Sequence, residues 1–466
     1  MVRRSWKSLL ASIALVGGLA VSNTAFAGGE GCTPSCGEDG GSISCKQCEK
    51  IFADAGTSLT DQLASMSCCG NGCCDAGSCC APTSVCEDAC DDACGDPLSD
   101  SCGEDCGEGC DGLFGDCGSG IDIGGWTQFG YQSAPDGAFT GNGAFNNTNF
   151  GSGFNNANEH DRFNLRQQGL YIGKVADGSK GMDWGFRVET IYGVDAGEGQ
   201  SFGNNPGKFD FVNGWDHGIY EWALPQLYAE VAIDDWTVKA GHFYTPCGYE
   251  TVPSYANFFF SGGLTWYNSE PFTHTGVNVS RKTSDNLTLS CGWIAGWDTG
   301  FNQFNNGSAF MPGATYQISD ATTFTYMGTY GNFGNRGQGD FQSMYITQNW
   351  SDKFATVHQF DVLHTNLGSD FETSGLAGDS LGLINYMFYT ISDKLRAGSR
   401  LEWYKADGTS YHTWTTGVNI TPMDHLVIRP EVRKMWSPGA TNSAAAPGHA
   451  DLFNQTVFGV DAIITY

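Results

Sequence analysis

The chain has 466 residues, 65 of them glycine and 19 cysteine, with 51 acidic side chains against 23 basic ones and a formal net charge of −28. So acidic a balance excludes a nucleic-acid binder, which needs a basic footprint. Abundant Gly, Asn, Asp and Thr favour turns and strands over helices.

Arg3, Arg4 and Lys7 precede the apolar run Leu9 to Val21, and Ala25-Phe26-Ala27 follows it. That order predicts a secretory signal peptide over residues 1–27, cut after Ala27. Its apolar run is too short to span a bilayer, which takes roughly 20 apolar residues. Arg3-Arg4 also suggests twin-arginine export, but a barrel must cross the inner membrane unfolded, which favours general secretion. Loss of three cations takes the net charge from −28 to −31. No later window is apolar enough for a transmembrane helix, so any membrane-embedded form must be a closed barrel.

Residues 28–118 form an acidic, cysteine-rich segment that is expected to be irregular. Seventeen cysteines fall between Cys32 and Cys117, including the doublets Cys68-Cys69, Cys73-Cys74 and Cys79-Cys80. From Gly28 to Gly120 there are 18 acids and two lysines, so this segment cannot bury a core unless it is stapled. Exported cysteines at this density form disulfides. Their odd number leaves a thiol for another chain, a metal, Cys247 or Cys291. A thiolate metal cluster is the alternative, weakened because the segment has no His and only one Cys-x-x-Cys, Cys45 to Cys48.

Residues 119–466 alternate short polar turns with longer connections. The short ones are 177–180, 234–235, 284–286, 319–320, 351–353, 392–394 and 422–424. The long ones are 133–161, 195–222, 244–272, 298–308, 331–340, 365–379, 406–410 and 437–452. Seven turns and eight loops predict an all-β fold: an antiparallel transmembrane β-barrel of about sixteen strands with both ends on the turn side.

The strand faces agree. Trp184, Phe186 and Val188 alternate with Asp183, Arg187 and Glu189; Leu227, Ala229, Val231 and Ile233 alternate with Gln226, Tyr228 and Glu230. Leu395, Leu401 and Trp403 oppose Arg396, Arg400 and Glu402, and Leu426, Ile428 and Val432 oppose Arg429, Glu431 and Arg433. Period-two alternation sends one set to lipid and the other to water. Residues 164–170 and 354–364 have mixed faces, which predicts bulges or protomer contacts. Trp184, Tyr192, Trp236, Trp350, Trp403, Tyr404 and Trp436 sit near strand ends, as interfacial girdles require. In the last strand Phe458, Val460, Ala462, Ile464 and Tyr466 share an apolar face, which suits a closing barrel strand. A soluble β-sandwich is the alternative, but it would not need charges on alternate positions of so many strands.

Sixteen strands enclose a water-filled interior. Its expected lining includes Asp183, Arg187, Glu189, Glu230, Lys239, Arg396, Arg400, Glu402, Arg429, Glu431 and Arg433, charges that can select ions or remain salt-bridged wall residues. The segment 244–272 is the constriction candidate, with Tyr249, Glu250, Tyr255, Phe259, Trp266 and Glu270. So aromatic a loop must fold against the lumen wall or a neighbouring subunit, and functional loops on rigid scaffolds favour the wall.

Gly241-His242-Phe243-Tyr244-Thr245-Pro246-Cys247-Gly248-Tyr249-Glu250, followed by Pro271-Phe272-Thr273-His274-Thr275-Gly276, resembles the OmpL-like β-barrel porin-2 family of bacterial outer-membrane proteins. The resemblance spans roughly residues 124–466, excludes the cysteine-rich segment, and departs locally at Cys247. It implies a porin, with trimers by family habit, and supplies no catalytic or substrate residues.

The expectation is therefore passive diffusion of small polar solutes or ions through an outer-membrane barrel, with residues 28–118 in the periplasm. Its partners are outer-membrane lipid, its solutes, further copies of itself and intermolecular disulfides through residues 32–117; no enzyme activity, cofactor or metal is expected. Two alternatives stand beside it. One is an envelope protein crosslinked through its cysteines and anchored by the barrel. The other is a barrel hydrolase using His274, His358 or His364, although no Gly-x-Ser-x-Gly elbow is present.

Overall fold

The computed structural model describes residues 120–133, 162–367, 376–438 and 456–466. The expected signal peptide, cysteine-rich segment and disulfides through residues 32–117 lie outside the described residues.

Sixteen strands form one closed antiparallel barrel in which each strand pairs with its sequence neighbours. The first eight are β1 (Asp122–Gln132), β2 (Phe163–Lys174), β3 (Asp183–Gly193), β4 (Glu221–Ile233), β5 (Trp236–Tyr244), β6 (Thr273–Ser284), β7 (Leu287–Ile294) and β8 (Ser308–Ser319). The rest are β9 (Thr322–Asn332), β10 (Gln338–Ser351), β11 (Phe354–Thr365), β12 (Asp379–Ser392), β13 (Leu395–Ala406), β14 (Thr409–Met423), β15 (Leu426–Trp436) and β16 (Thr456–Thr465). β1 closes on β16 from Trp126↔Thr465 to Gln132↔Gly459. Gly125 and Tyr466 extend this seam by exchanging backbone hydrogen bonds of 2.7 and 3.0 Å. Closure removes the two free edge strands that an open sheet would turn to lipid. Gly169 is needed in the wall because the Trp126 indole fills the space where a Cβ would stand.

Alternation sorts the two faces as the sequence demands. Trp184 and Leu401 are 59% and 46% exposed on the outside, whereas Arg187 and Arg400, of opposite parity in the same strands, are 5% and 0% exposed inside. Tyr404 is the exception among the expected girdle aromatics. It shares parity with Arg400 and Glu402, so it points inward, and its hydroxyl lies 2.6 Å from Ser269 Oγ.

Two connections are shorter than expected. The segment 406–410 is a two-residue turn, Asp407-Gly408, with φ of 46° and 96°. Left-handed backbone at both centres matches the twist of a tight hairpin, and Gly408 takes its conformation without strain. Likewise β9 and β10 run on until only residues 333–337 separate them.

The mixed face of β2 is a bulge. Gln128 pairs with Gln167 and Phe129 with Leu165, so Arg166 is the extra residue and both Arg166 and Gln167 turn inward. The mixed strand β11 pairs regularly with β12, and its one register shift against β10 lies at the turn, opposite Phe354 and Ala355. Its inward apolar residues Val357 and Leu363 instead pack against groups inside the barrel.

If the outer face meets lipid, Leu401→Arg should destabilise the folded barrel in liposomes by about 2–4 kcal/mol, the range for a cation near the bilayer midplane. Urea unfolding in lipid measures it, and an unchanged midpoint would contradict the assignment of that face.

Candidate functional site

The connection between β5 and β6 does not stand outside the barrel. β4 pairs with β5 only as far as Leu227↔His242, so residues 221–226 of β4 have no partner in β5. From there residues 245–272 run through the interior. They reach β13, which stands eight strands from β5 in a ring of sixteen and therefore opposite it.

Wall charges hold this loop. Arg400 forms an ion pair with Glu250 and donates to the Ser261 and Gly262 carbonyls at 2.7 and 3.1 Å. Glu402 accepts from the Leu264 and Thr265 amides at 2.8 and 2.7 Å, at the start of the one-turn helix α1 (Leu264–Ser269). A carboxylate there meets amides that have no partner within the helix. Glu431 accepts from the Phe260 and Ser261 amides at 3.0 and 3.3 Å. Arg429 pairs with Asp461 and donates to the Ser254 and Asn257 carbonyls. From β2, three strands round the ring from β15, Gln167 of the bulge donates to the Val252 carbonyl at 2.9 Å and accepts from the Ser254 amide at 3.0 Å.

The other expected lining residues take different positions. Arg187 pairs with Glu189 at 2.8 Å, and Glu189 also accepts from the Tyr244 hydroxyl at 2.6 Å and from Gln226 at 3.0 Å. Glu230 accepts from the Ala176 amide at 3.0 Å. Lys239 Nζ lies 4.2 Å from the Tyr228 ring centroid. Asp183 stays at the turn end, bridged to Lys174 at 2.6 Å. Arg433 is buried inside. Arg396 lies 5.8 and 6.0 Å from the rings of Phe258 and Phe388.

Within the loop, Tyr249 packs against Tyr386 and Tyr345 at 5.0 and 5.8 Å, and Tyr255 packs edge-on to Trp126 at 4.8 Å. Phe259 is buried with Val357, Ile384 and Tyr386. Trp266 packs on Phe272 at 4.7 Å. Glu270 accepts from Gln359 at 2.8 Å, and the same amide nitrogen donates to Asp361 at 2.9 Å. Sequence reasoning missed Gln167, Gln359, Asp361, Asp461, Arg336 and Asp298. Polar residues at consecutive positions in the mixed β2, Arg166 and Gln167, were the one available signal.

Asp298, in the connection 295–307, fixes the far end of the loop by accepting from the Phe272 and Thr273 amides at 2.7 and 3.0 Å. Arg336 donates to the Asn268 carbonyl at 2.8 Å. Burial pushes the Asp298 carboxyl up to about 7, against the opposing pull of those two amides and of Arg336. On the turn side of the loop a cleft of about 410 Å³ remains, bounded by Tyr255, Phe258, Phe388, Arg396 and Asn419. Both described barrel cysteines are free thiols: Cys247 is buried in the loop and Cys291 faces outward on β7. His274 is buried beside Thr245, whereas His358 and His364 are exposed on the outer face.

Residues 120–466 match the family model described as "Putative beta-barrel porin-2, OmpL-like". No curated protein matches the chain. Among solved structures, a mutant of the Rh. blastica porin is 12% identical, with a TM-score of 0.46 over 74% of this chain and 100% of its own. The outer membrane channel DcaP of Acinetobacter baumannii is 9% identical, with a TM-score of 0.47 over 74% and 97%. OmpT of Vibrio cholerae, solved in a trimer form, is 11% identical, with a TM-score of 0.43 over 74% and 99%.

Two outcomes test the anchoring. Arg400→Met leaves Glu250 buried without its cation, which should destabilise the protein by about 3–5 kcal/mol and open residues 245–272 to limited proteolysis. A loop as protected as in the parent would refute the tether. Asp298 keeps its proton to higher pH folded than in the unfolded chain, whose carboxyl has the ordinary value of about 4. Its contribution is then complete below about pH 4 and is lost as pH rises through about 7. Asp298→Asn keeps the acceptor oxygen and should flatten that part of the stability profile; an identical pH slope would contradict the assignment.

Proposed function

This chain belongs to the family described as "Putative beta-barrel porin-2, OmpL-like", and from that premise we propose an outer-membrane porin for passive diffusion of small hydrophilic solutes or ions. The observation that carries the reading is a closed sixteen-stranded barrel with residues 245–272 bound across its interior by Arg400, Glu402, Arg429 and Glu431. Sixteen strands enclose more space than wall side chains fill, so a water path is the natural use of that interior. A loop hydrogen-bonded to the wall narrows the path to a fixed aperture without closing the barrel.

In this reading Glu250, Tyr249, Tyr255, Phe259, Trp266 and Glu270 belong to the constriction, and Arg187, Glu189, Glu230, Lys239 and Arg396 to the wall beside the path. Arg400, Glu402, Arg429 and Glu431 act first as anchors, because their charges are already met by the loop. Residues 28–118 lie in the periplasm, since the first strand begins on the turn side. Protomers associate through the outer face, and the thiols of residues 32–117 form disulfides within or between chains.

The purified chain should insert into planar bilayers in discrete conductance steps. Replacing residues 252–266 by a short Gly-Ser linker should raise the unit conductance several-fold. A barrel that folds but passes no current would overturn the porin reading; equal conductance in the two forms would overturn the constriction.

A further inference from the structure

Five arginines inside the barrel have their charges met. Arg166 pairs with Asp195, Arg187 with Glu189, Arg400 with Glu250 and Arg429 with Asp461. Arg336 donates to the Asn268 and Ala377 carbonyls. Among the described residues Arg396 meets no carboxylate and donates no hydrogen bond, and its Nε is buried without a partner. Its guanidinium lies beside the Phe258 and Phe388 rings, with Tyr249 in electrostatic range. Asn419, opposite Arg396 in the β13–β14 register, also has a buried Oδ1 without a partner.

These groups share the cleft of about 410 Å³ on the turn side of the loop. That size suits a small molecule. Among the described residues no carboxylate lines the cleft, and its charged or titratable groups are Arg396, Arg429, His425, Tyr249 and Tyr255. Arg429 is occupied by Asp461 and the loop. Outside it, Asp352, Asp393 and Asp424 stand exposed on the neighbouring turns, beside Lys353 and Lys394. Among the described residues a cationic cleft lined by no carboxylate is not what a chain of net charge −28 would present by composition alone.

We propose that this cleft is a subsite for a small organic anion with an aromatic body, of the aryl carboxylate class, in which Arg396 takes the carboxylate and the Phe258 and Phe388 faces take the ring. A guanidinium binds a carboxylate through two parallel N–H bonds, and the ring can stack where the arginine already lies against aromatic faces. The inference rests on the porin reading for the traffic that brings such a solute to the cleft.

The test uses the full chain refolded in detergent micelles, with benzoate as probe, benzamide as its uncharged isostere, and titration calorimetry or saturation-transfer NMR as readout. Benzoate should bind about tenfold more tightly than benzamide, Arg396→Gln should remove that preference, and Arg396→Lys should keep part of it. Equal binding of the two probes to the parent protein, or a preference unchanged in Arg396→Gln, would overturn the subsite. If Arg396→Gln does not fold, the comparison of probes on the parent and on Arg396→Lys still decides. Planar-bilayer recordings on the same preparations separate the two claims. Arg396-dependent binding without conductance would sink the porin reading and leave the subsite standing; conductance without such binding would do the reverse.

Discussion

A charge turned into the interior of a barrel must find a partner, and here that partner is the barrel's own loop. Arg400, Glu402, Arg429 and Glu431 are all buried, and each is met by backbone amides, carbonyls or a carboxylate. Removing any one would leave the opposite charge or a row of amides desolvated, so the contacts support one another. The loop in turn needs the wall. Its amides at Phe260, Ser261, Leu264 and Thr265 bond to wall carboxylates, and its aromatics pack against inward faces and against one another. Position of the loop and charge of the wall are one interaction seen from two sides.

That interaction converts a wide cylinder into a graded one. The outer face answers to lipid and the closed seam to the absence of water in lipid. Inside, charged side chains do two different kinds of work: some anchor the loop, and Arg396 stays uncommitted on the turn side. The anchors come from many directions: among the described residues β2, β6, β11, β12, β13 and β15 all bond to the loop. A loop held from so many directions cannot swing without breaking several buried bonds at once.

Much of the fold was legible because its rules are local. A tight turn and period-two alternation each act within a few residues, so strand number, the side of the termini and the inward parity of Arg187, Arg400 and Arg429 could all be read from sequence. Tyr404 was misassigned because an aromatic near a strand end resembles a girdle residue, although parity with Glu402 already placed it inside. The bulge at Arg166 was half visible as a mixed face. The anchors were not legible as anchors. Whether Glu402 faces water or the Leu264 amide depends on a contact between residues 138 positions apart. Gln359, Asp361 and Asp298 were missed for the same reason, since a polar residue on an inward face carries no mark of what lies across the barrel.

Hydrogen exchange of the loop amides reads out the bond between loop and wall itself. Phe260, Ser261, Leu264 and Thr265 lie outside the strands, yet their N–H groups are given to Glu431 and Glu402. In the folded protein they should exchange as slowly as the amides of β13 and β15. Exchange at the rate of an open loop, with those strands still protected, would show that the wall charges do not hold residues 245–272 inside the barrel.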